Sequence, residues 1–102
     1  MAQTIQQKLQ AAFELRGWRV DRQARSSKYM TMVKAGQDQK YFLGRAGALR
    51  VGANVGASVP SDRLKATILK SVENPSDPVS QTCSRLADSV LGLPEFGQPL
   101  AQ

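Results

Sequence analysis

Between Trp18 and Gly52 the chain reads WRVDRQARSSKYMTMVKAGQDQKYFLGRAGALRVG, a series of strand-like runs joined by only a few residues each. That shortness constrains the fold most. Parallel strands need a crossover of a dozen residues or more, so strands linked this closely pair antiparallel. Trp18 to about Arg25 reads as a first strand, with Trp18 and Val20 on one face and Arg19 and Asp21 on the other. Ala24 to Ser27 is the expected turn, and Lys28 to Lys34 the second strand. Tyr29, Thr31 and Val33 alternate there with Met30 and Met32, and both faces are partly apolar, so the pattern leaves the buried face open. Ala35 to Asp38 has turn chemistry, and Lys40 to Gly44 forms the third strand. Gly44 to Gly47 is a tight turn, with Ala48 to Gly52 returning as a short fourth strand.

Helices are predicted on either side of this sheet. Thr4 and Gln7 have the spacing of a capping box, and Ile5, Leu9, Ala12 and Phe13 form one apolar stripe that runs to Arg16, with Gly17 as the stop. After a loop of small residues from Gly52 to Pro60, Ser61 or Asp62 starts a second helix with Leu64, Ile68, Leu69 and Val72 as its apolar face; Pro75 ends it. Asp77 and Pro78 have the order of an N-cap followed by the first helical residue. Val79, Cys83, Leu86 and Val90 then repeat at helical spacing to Gly92, and this stripe is the expected core face of the third helix. The fold class is therefore α+β: an N-terminal helix, a three- to four-stranded antiparallel sheet and two C-terminal helices. Residues 1–92 form one domain and 93–102 an irregular tail, in which Phe96 and Leu100 are free to meet the body or a partner.

The 102 residues contain one cysteine and no histidine. A disulfide within the chain and a Ser-His-Asp or Cys-His catalytic arrangement are thereby excluded, and a zinc site of the usual kind cannot be assembled. Carboxylates are scattered without an evident pair, so neither an enzyme nor a bound cofactor or metal is expected. Cys83 reads as a buried, inert thiol. No apolar run approaches the roughly 20 residues that span a bilayer, and the N-terminus lacks a signal-peptide core, so no membrane contact and a cytoplasmic location are expected.

Charge carries the functional reading. Residues 1–50 hold ten Lys or Arg against three acids, a net +7, whereas residues 51–102 hold four against five. Arg19, Arg22, Arg25, Lys28, Lys34, Lys40, Arg45 and Arg50 all fall on the strands or their turns, with Tyr29 and Tyr41 placed to stack on bases if they face outward. Guanidinium groups make paired hydrogen bonds to phosphate, and a cationic cluster releases counterions on binding a polyanion. The expected function is a small basic protein that binds nucleic acid, DNA or RNA, through phosphate contacts from the sheet and its hairpin. The alternative is a protein–protein module with an acidic partner: an inhibitor, an accessory factor or a subunit of a larger assembly such as a virion. A homodimer is compatible with either. Gly44, Gly47, Gly52 and Gly56 lie around Arg45 and Arg50, but they lack the order of a P-loop or a dinucleotide fold and read as turns.

The succession helix, antiparallel strands, helix is similar in outline to double-stranded RNA-binding domains. Where that family begins its closing helix with lysines, this chain has Ser61-Asp62-Arg63-Leu64, and no residue role carries over.

Overall fold

The structure, a computed structural model, describes residues 3–23 and 28–92. Helix α1 (Ile5–Leu15) is followed by strands β1 (Arg19–Val20), β2 (Tyr29–Val33), β3 (Lys40–Gly44) and β4 (Leu49–Gly52). A 3-10 turn (Val55–Ala57), strand β5 (Val59–Pro60) and helices α2 (Asp62–Ser71) and α3 (Pro78–Leu91) complete it. The five strands form one antiparallel meander in chain order. The α+β architecture thus agrees with the expectation, with one strand more. The predicted turn at residues 24–27 and the tail at 93–102 lie outside the described residues.

Local chemistry sets the element ends where side chains satisfy free backbone groups. The Thr4 hydroxyl accepts from the Gln7 N–H, and the Gln7 side chain accepts from the Thr4 N–H, which is the anticipated capping box. The Asp77 carboxylate accepts from the Ser80 N–H ahead of Pro78. Gly17 and Gly92 take the left-handed conformation beyond α1 and α3, a region that side chains with a Cβ avoid.

The register sorts the strand residues into two faces. Val20, Met32, Tyr41, Val51 and Val59 lie opposite one another across the five strands, and Met30, Leu43 and Leu49 form the neighbouring row. This face carries the core. Leu9, Ala12 and Phe13 of α1, Ile68 of α2 and Ala87 and Leu91 of α3 pack with Trp18, Met32, Tyr41, Leu43 and Leu49 in one buried cluster. Met30 and Met32 are therefore the inward side of β2. Trp18 meets Phe13 and Tyr41 edge-on, and its indole N–H donates to the Leu91 carbonyl at 2.8 Å. That bond ties the start of the sheet to the end of α3.

Besides the first strand, which spans Arg19–Val20 and not Trp18 to about Arg25, two expectations fail. The predicted loop from Gly52 to Pro60 contains the fifth strand. Asn54 accepts from the Ala57 N–H to hold the 3-10 turn, which returns Val59 and Pro60 to pair with Val51 and Arg50. A two-residue strand preceded by small residues has no alternation to reveal it.

The second failure concerns α3. Its buried residues are Ser80, Ala87 and Leu91, while Val79, Leu86 and Val90 are 55%, 54% and 57% exposed and Cys83 is half-buried. The stripe expected in the core faces outward. A buried cation decides the orientation. Arg16, only 2% exposed, donates to Asp88 at 2.5 Å, to the Ala12 carbonyl at 2.9 Å and to Ser84. At about 100° per residue, Asp88 and the Val79–Val90 stripe lie on roughly opposite sides of the helix. Turning the stripe inward would leave the Arg16 charge buried without its partner, which costs about 3–5 kcal/mol.

Candidate nucleic-acid interface

The alternation that buries Met32, Tyr41 and Val51 sends their neighbours to the other side of the sheet. That outer face carries Arg19 on β1, Tyr29, Thr31 and Val33 on β2, Lys40 and Phe42 on β3, Arg50 and Gly52 on β4 and Pro60 on β5. No carboxylate stands at any of these strand positions. Strand spacing and rise place Lys40 about 10 Å from Arg19 and about 8 Å from Arg50. The middle of the face is closed rather than open, since Phe42 and its cross-strand neighbour Thr31 are both buried.

A second cationic group lies where β2 begins and the β3–β4 hairpin turns. Lys28 and Arg45 line one shallow depression with Tyr29, Gly44, Ala46 and Ala48. Both cations are exposed. The turn itself is held by the Gly47 N–H donating to the Gly44 carbonyl. Gly52 serves packing: a Cβ there would stand 2.7 Å from the Ser58 Cα.

The remaining predicted positions divide. Tyr41 points into the core, 8% exposed, with its ring 4.9 Å from that of Phe13. It cannot stack on a base, and burial raises its phenol pKa above the usual 10.0. Lys34 is committed internally. Its ammonium donates to the carbonyls of Arg16, Leu91 and Gly92, so one cation caps the C-terminal ends of both α1 and α3. Arg50 is anchored through Nε to the Ser58 hydroxyl at 2.8 Å and through a terminal nitrogen to the Ser58 carbonyl at 2.5 Å. It keeps its charge on the outer face but has fewer donors to offer. Arg22 is exposed beside a depression that it shares with Arg19, Glu14 and Asp21, and the two carboxylates offset part of the field of both arginines. Arg25 lies outside the described residues.

The ion pairs among the described residues are Arg16–Asp88 and Lys70–Glu73. Arg19, Lys28, Lys40 and Arg45 thus remain unneutralised by any carboxylate within 4 Å among these residues. Reading charge by sequence position overcounted the site, because an internal cap such as Lys34 looks like any other strand-end lysine. Its partners are backbone carbonyls 18 to 58 residues away, which no local pattern displays.

Among the described residues, no three His, Cys, Asp or Glu side chains gather as a metal site, and no helix is long and apolar enough to cross a membrane. Compared with protein-family models, with curated proteins and with solved structures, the chain matches none.

Proposed function

We propose that this chain binds nucleic acid through its phosphate backbone, using the outer face of the sheet and the β3–β4 hairpin. One observation supports the reading above all: the strand positions turned away from the helices carry Arg19, Lys40 and Arg50 and no carboxylate. Lys28 and Arg45 extend the same charge to the hairpin end. A duplex or single strand laid across this face meets cations at spacings of about 8–10 Å, and their ammonium and guanidinium groups replace condensed counterions. Phe42 and Thr31, between the cations, are buried and offer no group to a base edge, so discrimination among sequences is expected to be weak.

The test is fluorescence anisotropy on DNA and RNA oligonucleotides across a salt series. With four or five cations engaged, log affinity falls against log salt with a slope of about −3 to −4.5. Binding that is flat across the series, together with capture of a single acidic protein after nuclease treatment, replaces this reading by protein recognition through the same face.

A further inference from the structure

The outward stripe of α3 is the largest feature that the cationic face leaves unused. Val79, Cys83, Leu86 and Val90 are separated by four, three and four residues. A helix that lies on a globular body usually shows a broader apolar arc, whereas this narrow alternation is the seam along which two helices wind together. The spacing also reads the same in either direction. In an antiparallel pair about a two-fold axis between Cys83 and Leu86, Val79 of one copy meets Val90 of the other and Cys83 meets Leu86. Such self-complementarity is what a symmetric contact requires.

Charge selects the occupant. The chain carries a net +6, so most approaches of one copy to another are repelled. Beside the seam, however, the open flank carries only Thr82 and Ser89, both uncharged and small. On the other flank Ser80 and Ala87 are buried in the body, and Lys70 of α2, within electrostatic reach of Cys83, is paired with Glu73. Arg85 and Asp88 lie farther around the helix, and Asp88 is already paired with Arg16. An acidic partner is drawn to the sheet and not to this neutral strip. A second copy, equally cationic elsewhere, can approach here without unpaired like charges facing one another.

We infer that this chain self-associates through α3 as an antiparallel, two-fold symmetric helix pair with Cys83 and Leu86 at its centre. The inference is independent of the nucleic-acid reading. Four side chains from each copy bury well under the ~1,200 Å² of a standard interface, so the pair is in reversible exchange with the monomer, with a dissociation constant on the order of 10–100 µM.

Sedimentation equilibrium of the full chain over about 1–500 µM tests this directly. The expected weight-average mass rises from 11.1 kDa toward twice that value. Leu86→Lys, which sets two cations at the centre of the seam, should raise the dissociation constant at least ~10-fold. Val59→Lys, at an equally exposed apolar residue on β5, should leave it unchanged. A short bis-maleimide should join two copies through Cys83, the sole cysteine, in the wild type and not in Leu86→Lys. Val79→Lys repeats the test should Leu86→Lys fold poorly. A mass that stays at 11.1 kDa throughout overturns the inference, whether the tail or another protein then covers the seam. A dimer that survives both α3 substitutions overturns it equally.

Discussion

The two faces of one sheet are built from alternate residues of the same strands, yet they answer to different physics. On the inner face Met32, Tyr41, Leu43 and Leu49 are sealed under three helices, and their contribution is area removed from water. On the outer face Arg19, Lys40 and Arg50 stand at the intervening positions, where burial would cost far more than it returns. A one-residue slip would exchange the two sets. Register is therefore fixed by the inner face, and the charge pattern of the outer face follows from it. The comparison teaches that the cations are positioned by residues that never touch a ligand.

The strongest way to break this comparison is to injure the inner face and ask whether the outer one notices. Leu43→Ala removes a fully buried side chain and should cost about 3 kcal/mol of unfolding free energy by urea titration. Nucleic-acid affinity per folded molecule should be unchanged. A large loss of affinity in the folded fraction would show that the faces are not separable.

The opposite injury comes next. Arg45→Glu and Lys40→Glu should each weaken oligonucleotide binding roughly tenfold at low salt and lower the salt slope by about one. Stability should stay within ~0.5 kcal/mol of wild type, as for surface changes without special partners. If both variants bind normally, the outer face is only a solvated surface.

Lys34→Met sharpens the division between cations that look outward and those that serve the fold. Loss of its bonds to the Arg16, Leu91 and Gly92 carbonyls should lower stability by about 1–2 kcal/mol, read from the urea midpoint. The salt slope of binding should not change.

The smallest effect concerns Tyr41. Because burial raises its folded-state pKa, the folded protein holds the phenolic proton more tightly than the unfolded chain. The stability this contributes is complete below the ordinary value of 10.0 and is lost as pH climbs above it through the folded-state value. Urea midpoints measured between about pH 9 and 11 should fall less steeply in Tyr41→Phe than in wild type. Equal slopes would place the Tyr41 hydroxyl in water.

Much of this architecture is legible in one dimension because its signals are local. Thr4 with Gln7, Asp77 with Pro78, and Gly17 and Gly92 mark helix ends through bonds that span three or four residues. The connections around Gly36 and Gly47 are too short for anything but hairpins. The candidate site was only partly legible. Arg19, Lys28, Lys40 and Arg45 are where their strands and turns imply, whereas Tyr41 joined the core and Lys34 the helix ends. Met30 and Met32 against Tyr29, Thr31 and Val33 is an undecidable alternation until a neighbouring strand and a covering helix choose a side.

The amino-acid order alone determined the helices, the antiparallel hairpins and the concentration of positive charge in the first half of the chain, since each depends on residues close together along the backbone. Tertiary structure decided which side of the sheet is buried, which cations remain available and how α3 is turned. The reason is energetic: the Arg16 charge needed Asp88, 72 residues away. Satisfying that buried ion outweighed covering Val79, Leu86 and Val90 with the body of the protein.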